Sequence, residues 1–74
     1  MKVGLIGCGG IANLHLRVFK SLRNVDVVGV CDLSPERARS TARKFQVERV
    51  FTDYNDLFEV KDLELVDICT PIST

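Results

Sequence analysis

Two features of the chain combine residue types and spacing that can do chemistry. Gly7-Cys8-Gly9-Gly10-Ile11-Ala12 has the form G-x-G-x-x-A, and Asp32 closes an apolar run further along. Glycines so spaced suit an anion: Gly7 would turn the chain tightly out of a strand, and Gly9 would let the backbone approach a pyrophosphate. Ala12, a third small residue, would let the following helix pack closely. The amides around Gly10 and Ile11 would then lie at a helix start, where unpaired N–H groups and the helix dipole favour negative charge. The acidic residue of this pattern falls about 20 residues after the loop, which is where Asp32 stands. Its carboxylate can accept both ribose hydroxyls of an adenosine and repels a 2′-phosphate, so these residues favour NAD over NADP. Two alternatives stay open: Asp32 also reads as a cap on the turn that follows it, and Arg37 or Arg39 as a hand for a 2′-phosphate, although surface solvation suits both arginines.

The cysteines and the histidine invite other readings. Leu5-Ile6-Gly7-Cys8 behind Lys2 has the look of a lipoprotein cleavage box. Export needs an apolar core of roughly 7 to 15 residues, and only Val3 to Ile6 precede Cys8, so that reading fails on length. Cys8, Cys31 and Cys69 are three in number, lie at the ends of apolar runs and form no C-x-x-C pair, which predicts buried free thiols. Cys8 would sit at a helix start, where a thiol pKa can fall, but it reads as a loop filler whose amide matters more than its sulfur. No second ligand stands at zinc-type spacing, and His15 is the only histidine. His15 follows Ile11 by one helical turn and has no acid or nucleophile beside it in the sequence, so it reads as a partly buried packing residue.

Composition narrows the field. Seventy-four residues make one small domain with a marginal core, and zero formal charge points to neither nucleic acid nor an anionic membrane surface. No apolar run approaches the roughly 20 residues that span a bilayer, which suits a cytoplasmic protein.

The elements that must position the loop follow from periodicity. Val3 to Ile6 is a short apolar run suited to a strand buried on both faces. From Gly10 to Leu22, Ile11, Leu14, Val18, Phe19 and Leu22 fall at helical spacing, and Asn24 ends the run. Val25 to Cys31 predicts a second strand; Ser34 and Pro35 predict a cap and first turn for a helix to about Phe45, with Ala38, Ala42 and Phe45 inward and Arg37, Arg39, Arg43 and Lys44 wet. Arg49 to Thr52 predicts a third strand, Asp53 to about Val60 a short helix, and Leu65 to Cys69 a fourth strand stopped by Pro71. Asp53, Asp56, Glu59, Asp62 and Glu64 look like a solvated acidic face. There is no internal repeat or linker. This βαβαβαβ order predicts an α/β, three-layer, parallel sheet, half of a Rossmann dinucleotide-binding fold with strand order 3-2-1-4. Its crevice would open at the switch point between the first and fourth strands, between Gly7 to Gly10 and the Thr70-Pro71 segment.

Taken together, Gly7 to Ala12 followed by His15, then Val30-Cys31-Asp32-Leu33-Ser34-Pro35-Glu36-Arg37-Ala38, then Asp67-Ile68-Cys69-Thr70-Pro71, resemble the start of the glucose-fructose oxidoreductase, inositol dehydrogenase and rhizopine-catabolism (Gfo/Idh/MocA) family. The resemblance covers nearly the whole chain, and the ordered combination is far more specific than any single motif. It implies an NAD(P)-dependent oxidoreductase acting on the hydroxyl or aldehyde carbon of a sugar, cyclitol or polyol, usually as a homo-oligomer. It also implies roles: Gly7, Cys8, Gly9, Gly10 and Ile11 around the pyrophosphate, Asp32 on the adenosine ribose, Arg37 over the adenine, and Thr70 and Pro71 along the inner edge of the dinucleotide. Ile72 departs from a frequent asparagine. The family's catalytic lysine segment and its substrate domain are not among these residues, so the expectation is the N-terminal part of a Rossmann domain, inactive alone. An apolar fourth strand at the sheet edge predicts self-association. A different class stays open: a non-catalytic NAD(H)-sensing regulatory domain built on the same loop and carboxylate, or, more blandly, a subunit scaffold.

Overall fold

A computed structural model describes residues 1–69. The chain runs β1 (Lys2–Ile6), α1 (Gly10–Ser21), β2 (Asp26–Cys31), α2 (Pro35–Phe45), β3 (Arg49–Phe51), α3 (Tyr54–Phe58) and β4 (Leu65–Ile68). Every element expected from periodicity is present; β1 begins one residue earlier, at Lys2, and the other ends that shift move inward by a residue or two. The largest change is at α3, where Asp53 stands outside the helix as its cap, its carboxylate accepting the Asn55 amide at 2.9 Å.

The four strands are parallel and ordered β3-β2-β1-β4. Leu5 lies beside Val30 on one side and Asp67 on the other, and Gly4 beside Gly29 and Val66. Val3 pairs with Val27 but Gly4 with Gly29, so the ladder passes over Val28. Side chains alternate across a strand, and here the alternation builds two unequal faces. Leu5 and Val30 enter a core with Ala12 and Leu16 of α1 and Ala38 and Ala42 of α2. The opposite face is glycine at Gly4 and Gly29, and the fully buried Leu57 of α3 fills it: a Cβ on Gly4 would stand 2.9 Å from Leu57 Cδ1, and one on Gly29 2.7 Å from Phe51 Cε2. Helices therefore cover both sides of the sheet: the crossovers through α1 and α2 run one way across it and the one through α3 runs back from β3 to β4, so crossovers of one hand place α3 on the opposite face.

Local signals explain the helix ends. Ser34 Oγ accepts the Arg37 amide at 3.3 Å with Pro35 in the first turn, and Gln46 closes α2 in the left-handed region at φ 56°, its amide donating to the Ala42 carbonyl. The inward stripe of α2 is Ala38, Thr41 and Ala42, with Phe45 packed at its edge. α1 departs more from the periodicity. Its buried residues are Ala12 and Leu16, with Phe19 packed against them, whereas Ile11, Leu14, Val18 and Leu22 are 60, 57, 52 and 48% exposed. The helix carries two apolar stripes, and the one with the small residue faces the strands, where a side chain as small as Ala12 allows close packing.

Candidate dinucleotide groove and the His15 cluster

The C-terminal ends of β1 and β2 turn into the starts of α1 and α2, and between them opens a groove of about 280 Å³. Gly7, Cys8, Gly9, Gly10, Ile11, Asp32 and Arg37 all line it. Thr70 and Pro71 lie outside the described residues.

Gly7 leaves β1 at φ 91°, a conformation that L side chains avoid, and its amide donates to the Cys31 carbonyl at 2.7 Å. Gly9 is the N-cap of α1 at φ −90° and offers no side chain to the helix start. The first amides of α1 therefore keep the unpaired N–H character that helix starts leave over, while α2 and α3 are capped by Ser34 and Asp53. A Cβ at Gly9 or Gly10 would meet nothing within 4 Å. The protein's own packing thus makes no demand for glycine at either position; a ligand lying against the backbone would.

Asp32 is half-buried and ties the groove together. Its Oδ2 accepts the Cys8 amide at 2.9 Å and its Oδ1 the Ser34 amide at 2.9 Å. The turn-capping alternative is therefore realised, and it coexists with a ligand role because each carboxylate oxygen has a second acceptor site. Cys8 serves the loop through that amide. Its Sγ, 3.7 Å from the Cys31 carbonyl, is buried, and burial first, with the Asp32 charge adding, pushes the thiol up to about 11 against an opposing hydrogen bond from Thr41. The lowering that a helix start can produce is overridden. Arg37 is exposed at the mouth of the groove, its backbone amide held by Ser34. Leu33, Thr52 and Tyr54 also line the groove and escaped notice in the sequence. The signal for Thr52 and Tyr54 was positional, since ligands in open α/β sheets lie beyond the carboxyl ends of strands.

His15 is where the structure overturns the sequence reading most clearly. It is half-buried as expected, but an acid and a thiol do stand beside it. Its Nδ1 lies 2.5 Å from Oδ2 of Asp67 and 3.3 Å from Sγ of Cys69, and that sulfur is 3.5 Å from the same carboxylate oxygen. The pair is 52 residues apart in sequence, so only the β1–β4 pairing brings it together. The missed signal was the charge in the apolar run Leu65-Val66-Asp67-Ile68, because a partly buried carboxylate needs a partner. Burial first, then the Asp67 charge, pushes the Cys69 thiol up to about 12; burial also raises Cys31. All three cysteines are free and buried.

A match to the family described as an oxidoreductase family with an NAD-binding Rossmann fold, GFO_IDH_MocA, runs over residues 1–74. The chain belongs to the Gfo/Idh/MocA family. Among similar family members, the inositol 2-dehydrogenase of Salmonella typhimurium is 39% identical over 70 residues, covering 92% of this chain and 21% of that protein. The D-apiose dehydrogenase of Paraburkholderia graminis is 33% identical over 69 residues, 93% of this chain and 18% of that one. In three dimensions the chain is similar to the myo-inositol dehydrogenase of Lactobacillus casei, whose crystal structure is a complex with NAD(H) and myo-inositol, at a TM-score of 0.84 and 30% identity over 95% of this chain and 21% of that one. The chain thus spans about a fifth of the length of these relatives. These relatives are named as dehydrogenases. Among the described residues no helix is long and apolar enough to cross a membrane.

Proposed function

We propose that the chain is the adenine-dinucleotide half-site of an NAD-dependent oxidoreductase acting on a sugar, cyclitol or related polyol. The observation that carries this reading is the open backbone at Gly9 and Gly10, set at an uncapped helix start in a groove shared with Asp32. In the proposed arrangement the amides of Gly9, Gly10 and Ile11 bind the pyrophosphate, and Gly7 and Cys8 hold the loop in place. Asp32 accepts the adenosine ribose hydroxyls and, by its charge, disfavours a 2′-phosphate; Arg37 covers the adenine, and Thr70 and Pro71 run along the inner edge. When bound, the nicotinamide ring supplies a hydride acceptor or donor. None of the residues assigned to the dinucleotide here acts as a catalytic acid or base in this arrangement. The substrate class rests on the relatives, which are named for inositol and apiose. A homo-oligomer and a cytoplasmic location complete the proposal.

The test is a titration of isotopically labelled protein with NAD, NADP and ADP-ribose, followed through backbone amide shifts, with Asp32→Ala in parallel. The amides of Gly9, Gly10 and Ile11 are expected to move with NAD and ADP-ribose and less with NADP. Asp32→Ala should weaken NAD binding about tenfold, the worth of one charge-assisted hydrogen bond, and narrow the gap to NADP. A folded sample that shows no shifts at millimolar NAD would sink the proposal.

A further inference from the structure

Three side chains at the α1–β4 junction carry donor atoms of three kinds: the His15 imidazole, the Asp67 carboxylate and the Cys69 thiol. Their ligand atoms all lie within 4.8 Å of one another. Nitrogen, oxygen and sulfur donors in one cluster suit a borderline-soft cation more than calcium or magnesium, which prefer oxygen alone. We propose that His15, Asp67 and Cys69 form a binding site for a divalent transition-metal ion of the zinc class. The inference is independent of the dinucleotide reading.

The spacing can be compared with what a tetrahedral ion demands. Zn–N and Zn–O bonds of about 2.0 Å and a Zn–S bond of about 2.3 Å place sulfur about 3.5 Å from each lighter donor, and nitrogen about 3.3 Å from oxygen. Cys69 Sγ already stands 3.3 Å from His15 Nδ1 and 3.5 Å from Asp67 Oδ2. The nitrogen and oxygen, 2.5 Å apart, are hydrogen-bonded; an ion takes the place between them, the proton held there passes to Nε2 of the imidazole or to solvent, and that edge opens by about 0.8 Å. The thiol proton leaves to solvent as the sulfur becomes a ligand. Asp67 lies on β4, Cys69 follows the end of that strand with its amide donating to the Ile6 carbonyl at 2.7 Å, and His15 stands on the facing helix α1, so little ordering is needed to bind.

Access and a fourth position are also present. The His15 and Asp67 side chains are 41% and 20% exposed, while Cys69 is buried. His15 and Asp67 face a shallow surface groove bordered by Val18, Phe19 and Leu65. Water reaching the ion from that side completes the three-protein-ligand pattern of sites with an open position. Cys69 also lines the dinucleotide groove, so an ion here would tie α1 to β4 at the groove's edge.

The experiment titrates the metal-free protein with Zn²⁺ and, for spectroscopy, Co²⁺, alongside His15→Ala, Asp67→Asn and Cys69→Ser. One equivalent of metal should bind with micromolar or tighter affinity, and Co²⁺ should give a near-ultraviolet thiolate-to-cobalt band. Cys69→Ser should abolish that band, and His15→Ala and Asp67→Asn should each weaken Zn²⁺ binding at least about tenfold, the scale seen when metal-site residues are lost. Absence of binding at tens of micromolar Zn²⁺ overturns the proposal, leaving a hydrogen-bonded trio. So does a cobalt band retained in Cys69→Ser, which would assign the thiolate to Cys8 or Cys31. Should circular dichroism show a variant unfolded, the ring nitrogens of His15 in the unaltered protein decide: their shifts must move with Zn²⁺, and unmoved shifts overturn the assignment.

Discussion

Gly7 and Gly9 are both loop glycines, yet the structure needs them for different reasons, and substitution separates the two. Gly7 sits at φ 91°, so Gly7→Ala should lower stability by about 1–3 kcal/mol through backbone strain alone. Gly9 has an ordinary φ of −90° and open space where a Cβ would go. Gly9→Ala is therefore expected to change stability by less than about 1 kcal/mol while weakening NAD binding tenfold or more; equal affinity in a calorimetric titration would remove the pyrophosphate from that position. The cysteines make a prediction about alkali. Cys8 and Cys69 rise from 9.0 to about 11 and about 12 on folding, so the native state holds protons that the unfolded chain releases. Their contribution is complete below pH about 9 and is lost as pH rises through the folded values. Urea denaturation should show stability falling between pH 9 and 11 by up to about 1.4 kcal/mol per pH unit for each thiol, and Cys8→Ala should flatten that slope.

At the scale of elements, α3 is short but holds one face of the sheet. Leu57 fills the hollow above Gly4 and Gly29, fully buried. Leu57→Ala should destabilise by about 2–5 kcal/mol, read as a fall in the denaturation midpoint. A loss below about 1 kcal/mol would mean that α3 is not docked as described. Because α3 begins at Tyr54, beside Thr52 in the groove wall, the same variant should also loosen that wall of the groove. The caps on α2 and α3 belong to this scale as well. They satisfy those helix starts internally and leave α1 as the uncapped one facing the groove.

For the molecule as a whole, the arrangement of apolar surface matters more than its amount. Ile11, Leu14, Val18 and Leu22 on α1, with Leu65 and Ile68 on β4, are all about half exposed or more. β4 is an edge strand with no partner on its outer side among the described residues. An exposed apolar stripe such as that on α1 marks an interaction face, and an open strand edge templates pairing. The chain is expected to self-associate at high micromolar concentration in sedimentation, and Leu14→Lys with Val18→Lys should shift it toward monomer. A dispersed monomer before substitution would contradict this.

Much of the fold was readable because each of its signals is local. Strand runs ending in glycine, Ser34-Pro35 before a helix, and the G-x-G-x-x-A string with Asp32 after the next strand each depend on a few neighbouring residues. Given parallel crossovers of one hand, the β3-β2-β1-β4 order followed. Ala12 was legible as the close-packing residue of α1, whereas the exposure of the wider stripe at Ile11, Leu14 and Val18 was not, because helical spacing alone does not say which stripe is covered. Nor could it disclose the His15, Asp67 and Cys69 cluster. Metal-ligand spacing along a sequence records only sites built within one segment, whereas this one exists because β4 lies beside β1, beneath the helix that carries His15. The sequence by itself determined the glycine turn between β1 and α1, whose geometry is set within one strand-turn-helix. Tertiary structure alone decided the contacts between residues 52 positions apart, because a parallel sheet joins strands that are neighbours in space and distant in the chain.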